Sequence, residues 1–389
     1  MAEQPVQTDP PSPQGREPHS GLQAPLRRLR VVWVAGTETL ERMERVLQPL
    51  AIGLMDELVE LIVLCPEGID TQELPSPPIQ IMRYGRIPWL AFRGRTVRSI
   101  AGQLQDKRVA LLHALDAEAA GLTARLAVSA DLPYVLGSFS LDDGPGLRSL
   151  VRRPAAVLAA SEPIRQNLLE HHVAPVEKLL LVRPGVYQVR HATCFNNPQH
   201  SIAIVAGGEL GDYDAFDAVL RTFAELVSRD YDCSFFVIGN GPAEKRLRAR
   251  AEELGLRRRL SFADRQRTSQ MAGILKAADI YIAPCTSPSI DFWSLLALAA
   301  GDPVLSGGPG ASDFIIDGRT AVTFHPGNSS ELIVKLTALL ADRAATRALM
   351  ENALGYLREH HSPAQMVAKV AQTYRQVVMS NVGAPSLAL

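Results

Sequence analysis

Two kinds of residue in this chain are placed to do chemistry. The turns Gly207-Gly208 and Gly239-Asn240-Gly241-Pro242 each follow an apolar run directly, SIAIVA at 201–206 and CSFFVI at 233–238. Glycine lets a backbone approach a ligand closely and leaves the N–H groups of a following helix free for an anion. The same glycines serve equally as tight strand-to-helix turns. Neither turn is a GxGxxG fingerprint, so a nicotinamide dinucleotide is unsupported. The second kind is His113 with Asp116, at the end of the apolar run LLHALD. They are candidates to face a cleft, although a histidine at a strand end is as readily a structural group. No Ser-His-Asp arrangement, P-loop or HExxH pattern is present. His171-His172 and His360-His361 read as exposed helix-end groups, and no metal site is expected. Arg257-Arg258-Arg259 reads as a solvated helix end, with an acidic partner or a membrane surface as the alternative. Cys65, Cys194, Cys233 and Cys285 are too scattered for a disulfide framework or a zinc site and read as reduced thiols.

The composition narrows the choice of partners. Lys and Arg total 40 against 41 Asp and Glu over 389 residues, a net charge of −1. That balance argues against nucleic acid, which needs clustered cations. Hydrophobic residues at 47% point to globular domains, and the length suggests two or three of them. Aromatic residues at 6% are too few for a base-stacking platform or an aromatic sugar cleft. No apolar run reaches the roughly 18–20 residues of a spanning helix, and the N-terminus lacks a secretory hydrophobic core. The expected location is cytoplasmic, with peripheral membrane contact through Arg27, Arg28 and Arg30 conceivable.

The elements that must position these residues alternate. Residues 1–28 carry Pro5, Pro10, Pro11, Pro13, Pro18 and Pro25 among Gln, Ser and Gly, and read as a disordered tail. Apolar runs at 31–35, 58–65, 79–83, 109–114, 133–136, 155–160 and 179–182 read as strands. Helical spacing falls between them at 39–57, 94–104, 116–127 and 162–171. Pro49 is expected to kink or divide the first of these helices. The pattern restarts with strands at 201–206, 233–238, 260–262, 280–283, 303–305 and 321–324. Helices are read at 214–228, up to 253, 271–277, 294–300, 330–341, 344–358 and 363–378. Parallel strands need crossover helices, so this is an α/β chain with two Rossmann-like, doubly wound domains facing across a cleft. The divisions are 29–190, a linker at 191–200, and 201–360, with a terminal helix within 361–381.

The order of these segments resembles the retaining, nucleotide-sugar-dependent glycosyltransferases of family four, also called glycosyl transferases group 1. The resemblance runs from about Val31 to Tyr374. It is carried by LLHALDAEAAGLTARLA, AAVLAASEPIRQNL, EKLLLVRPGV, FFVIGNGPAEKRLRARAEELGL, LKAADIYIAPC and the stretch from Leu296 to Asp342. It implies the GT-B fold, a final helix that crosses back onto the first domain, and no metal or cofactor beyond a nucleotide-sugar donor. The acceptor would be a glycan or a lipid. By resemblance the donor-side residues are Gly207, Gly208, Gly239, Asn240, Gly241, Arg265 and Ser289. The catalytic candidates are His113, Asp116 and Asp291.

The chain departs from that family where the donor would sit. An Arg and a Lys usually hold the diphosphate. Here Glu209 stands near the first and Tyr213 or Asp214 near the second. The two glutamates expected eight positions apart fall on Pro288 and Leu296. Asp291 lies nearby, where glycine is usual. A histidine near the sugar is replaced by Phe139 or Ser140. Lost charge-assisted hydrogen bonds are worth roughly 1.5–3 kcal/mol each. Arg265 and Arg267 are the cations best placed to substitute. Two readings follow: a transferase of weak or altered activity, or a non-catalytic scaffold that binds a ligand or a partner protein.

Overall fold

The computed structural model describes residues 28–36, 39–69, 71, 79–85, 93–150, 153–189, 191, 193–196, 201–264 and 268–382. Most of the proline-rich stretch at 1–28 therefore lies outside the described residues, as do Arg265 and Arg267.

The first half contains β1 (Leu29–Val34), α1 (Thr39–Arg42), α2 (Glu44–Asp56), β2 (Val59–Pro66), β3 (Gln80–Tyr84), α3 (Arg93–Asp106), β4 (Leu111–Ala114) and α4 (Ala117–Ala130). It continues with β5 (Tyr134–Ser138), α5 (Asp143–Leu150), β6 (Ala156–Ala159), α6 (Glu162–Glu170) and β7 (Leu179–Leu181). The second half has β8 (Ile202–Gly207), α7 (Tyr213–Ser228), β9 (Cys233–Ile238), α8 (Glu244–Glu253), β10 (Leu260–Ala263), α9 (Thr268–Leu275), β11 (Ile280–Ala283) and α10 (Phe292–Ala300). It ends with β12 (Val304–Ser306), β13 (Val322–Thr323), α11 (Ser329–Ala341), α12 (Arg343–His360) and α13 (Pro363–Val382).

The strands form two sheets, ordered β3-β2-β1-β4-β5-β6-β7 and β10-β9-β8-β11-β12-β13. Every pairing within them is parallel. Both are doubly wound, as expected, because continuous apolar strands such as AVLA and IYIA are buried at every position. In each sheet the winding reverses at one point, between β1 and β4 and between β8 and β11. Ligands of open α/β sheets bind at the carboxyl ends of such strands.

The final helix, α13, packs against β1, β4 and α2 of the first half. On α13, Tyr374 is fully buried; its hydroxyl accepts from Trp33 Nε1 on β1 at 3.0 Å and lies 2.6 Å from His113 Nδ1 on β4. Gly53 on α2 faces Val367 of α13 so closely that an added Cβ would sit 2.5 Å from that side chain.

Two local expectations are corrected. Pro49 does not divide a helix but lies buried inside α2. The break falls at Met43, whose carbonyl takes hydrogen bonds from both Val46 and Leu47. The segment DGPGLRSL, rich in turn residues, is helical as α5, with Leu147 buried and Asp143 in its first turn. His361 is not an exposed helix-end group. It is buried, with Nδ1 2.9 Å from Pro184 O, because α12 ends against the loop that follows β7.

Candidate functional site

The reversal point of the second sheet gathers carboxylates. Glu209 and Asp212 follow β8, Cys285 follows β11, and Asp291 precedes α10. Burial, and then the charges of Asp212, Glu209 and Asp291, push the Cys285 thiol up to about 12, so three carboxylates bear on one point. Asp212 is the N-cap of α7, its Oδ1 accepting from Ala215 N at 3.1 Å. Asp291 is the N-cap of α10. Its Oδ1 accepts from Trp293 N and Ser294 N, both at 3.1 Å, and its Oδ2 from Ser294 Oγ at 2.5 Å. Burial raises the Asp291 pKa despite these donors, and Arg42, from α1 of the other domain, opposes the rise. The helix N-termini that would attract a phosphate here already hold the chain's own carboxylates.

The glycines pack turn against turn. Gly208 and Gly239 both have φ +152°, and a Cβ on Gly239 would lie 1.9 Å from Gly208 O. A Cβ on Gly241 would meet Leu210 O at 2.4 Å, and one on Gly207 the Tyr281 hydroxyl at 2.7 Å. Asn240 is exposed, and its carbonyl takes the Leu210 N–H at 3.0 Å. Ser289 stands in the loop after β11, opposite Ser140 of the first domain.

The first domain presents its own reversal point. His113 is not turned to the open side. It is buried against Tyr374, and burial lowers its pKa to about 3, so it stays neutral. Asp116 caps α4, accepting from Ala119 N at 2.7 Å and from Gly36 N at 3.3 Å. A side chain on Gly36 would collide with Asp116 and Glu118. Asp143 Oδ2 accepts from Ser138 Oγ at 2.7 Å and from the N–H groups of Phe139 and Ser140, both at 3.1 Å, and so shapes the loop in question. Sequence reasoning missed Asp143 and the capping roles of Asp212 and Asp291. An Asp directly before a helical apolar pattern is the signal for the latter two.

Burial lifts the Asp116 carboxyl to about 6, above the ordinary value. A carboxyl whose folded pKa is raised adds stability that is complete below its unfolded pKa of about 3.9 and is lost as pH rises through 6. Asp116→Asn keeps a capping oxygen and removes the titration. Urea unfolding curves of variant and parent should converge near pH 4. At pH 7.5 the variant should be the more stable by up to about 3 kcal/mol. Equal pH profiles would remove the assignment.

Among the described residues no group of three or more His, Cys, Asp or Glu side chains is arranged to hold a metal ion. No described helix is long and apolar enough to cross a membrane.

Residues 201–342 match the family described as Glycosyl transferases group 1. The chain is 26% identical over 232 residues to the D-inositol 3-phosphate glycosyltransferase of Corynebacterium glutamicum, a match covering 55% of each chain. It is 23% identical over 230 residues to the 2-deoxystreptamine glucosyltransferase of Streptomyces kanamyceticus, covering 58% of this chain and 59% of that protein. The chain thus spans about half the length of these curated relatives. Its fold is similar to that of Anabaena HepE solved in complex with UDP, with a TM-score of 0.72 and 16% identity, covering 90% of this chain and 100% of that one. It is also similar to sucrose-phosphate synthase from Thermosynechococcus elongatus, with a TM-score of 0.71 and 15% identity, covering 91% and 100%. The architecture is GT-B.

Proposed function

We propose that this chain, a GT-B protein whose residues 201–342 carry a glycosyl transferases group 1 domain, is a glycosyltransferase-like protein of the retaining, nucleotide-sugar type with a weakened donor site. The observation that carries the reading is that Glu209 and Asp212 follow β8 and Asp291 caps α10, which puts carboxylates at the β8–β11 reversal point. Cation clamps act where negative charge develops on a leaving diphosphate. A carboxylate in that place repels both the bound donor and the leaving group. Glu209 is exposed, so its repulsion is screened, and it replaces an attraction rather than closing the site. Transfer is therefore weak or altered.

The second reading, a non-catalytic scaffold that binds a ligand or a partner protein, is favoured by a separate observation. The Phe139–Leu141 loop of the first domain pairs with Pro288–Ile290 of the second across the interdomain face. Calorimetry and thermal-shift measurements with UDP-, GDP- and ADP-sugars separate these readings. The expected result is dissociation constants of roughly millimolar or weaker, with slow transfer at most. No binding of any nucleotide at all favours the scaffold. Micromolar binding with brisk transfer overturns the weakened-donor reading. In that case loss of binding in Arg265→Ala would identify a compensating cation.

A further inference from the structure

The two domains meet along two seams. On the face between the sheets, Leu141 N donates to Pro288 O at 2.8 Å and Ile290 N to Phe139 O at 2.9 Å, with Ser140 opposite Ser289. Two backbone hydrogen bonds at a partly exposed site gain little over bonds to water. They are too few to hold two domains together by themselves.

A stronger contact lies behind them. Asp313, in the loop between β12 and β13, reaches into the first domain. Its Oδ2 accepts from Arg183 Nε at 2.8 Å and from Glu162 N, in the first turn of α6, at 3.2 Å. The Arg183 and Asp313 side chains are only 21% and 12% exposed. A carboxylate here meets a guanidinium and a helix N-terminus together, each of which favours an anion. Beside it, Ser161 Oγ, the N-cap of α6, donates to Ala311 O at 2.6 Å. The Asp313 backbone is held in turn by Tyr356, whose hydroxyl donates to its carbonyl at 3.1 Å. Its second oxygen, Oδ1, lies 3.9 Å from the buried Nε2 of His361.

We propose that Asp313 is an interdomain latch. Its carboxylate occupies an anion seat built by Arg183 and the α6 N-terminus. This internal contact, independent of any ligand, holds the Phe139–Leu141 and Pro288–Ile290 segments together. Asp313 is a positioning residue: it sets the spacing of the two domains and touches no reacting group.

Hydrogen exchange followed by mass spectrometry tests this on the full chain. In Asp313→Asn, protection of the Leu141 and Ile290 amides should fall by about tenfold, the difference between a charged and a neutral acceptor. Protection within β1 and β8 should not change. Arg183→Gln should give the same selective loss, and the double variant no more than either single one. Ser140 and Ser289 form a non-hydrogen-bonded antiparallel pair, whose Cα separation of about 4.5 Å suits a disulfide. Ser140→Cys with Ser289→Cys, made with Cys285→Ser, should restore protection to Asp313→Asn once oxidised. Unchanged protection at Leu141 and Ile290 overturns the latch. So does a loss that spreads equally into β1 and β8, because it would mark Asp313 as a general stabiliser.

Discussion

Glu209→Arg combined with Asp214→Lys is expected to strengthen binding of UDP by between roughly a hundred- and ten-thousandfold. Two new charge-assisted hydrogen bonds supply about 3–6 kcal/mol in total. Both positions are exposed and lie beside the β8–β11 reversal point, so neither substitution disturbs the core. Asp212 is left in place because it caps α7. The lysine at 214 sits in the first turn of that helix, where a cation costs roughly 0.3–1 kcal/mol. That cost lowers stability slightly without cancelling the gain in affinity. Titration calorimetry decides the matter. An affinity within tenfold of the parent would mean that the acidic turn does not face the donor phosphates, and the proposed function would lose its main support.

Gly239→Ala is expected to destabilise the second domain by roughly 3 kcal/mol or more. Its φ of +152° strains any L side chain, and the new Cβ would be placed 1.9 Å from Gly208 O. Neither backbone is free to withdraw. Gly239 N donates to Ala263 O at 3.1 Å and Gly208 N to Ile238 O at 3.2 Å, so both turns are tied to strand ends. Gly211→Ala is the control. Nothing lies within 4 Å of its added Cβ, and its effect should stay within about 0.5 kcal/mol. Hydrogen exchange of the β9 and β10 amides measures both. Similar values for the two variants would show that the contact between turns is not what requires glycine at 239. The glycine-rich turns thus have a sufficient structural cause, and their presence is no evidence by itself for a bound phosphate.

The repeating order of elements was legible in the sequence for a plain reason. Strands buried on both faces, such as IYIA, must be continuously apolar, and glycine or proline must end them. The observed β9 and β11 coincide with the runs read at 233–238 and 280–283. The sign of the charge at the β8 turn was equally visible, since it depends only on which residues follow SIAIVA. Where a local rule depends on surroundings, the sequence was less informative. The glycines and proline of α5 are poor helix formers, and burial of Leu147 overrides that propensity. His113 stands at a strand end, as read, but which way its ring faces depends on Tyr374, 261 positions away.

Sequence by itself therefore determined the doubly wound class, the strand ends that carry the glycine turns, and the acidic character of one of them. The tertiary structure alone decided how those residues are used. Asp212 and Asp291 became helix caps, the glycines became contacts between turns, and Asp313 came to rest on Arg183, 130 positions away. The physical reason is that periodicity reports only which face of an element is buried. The partner across that face follows from sheet order and from the closure of one domain on the other, and no local spacing encodes either.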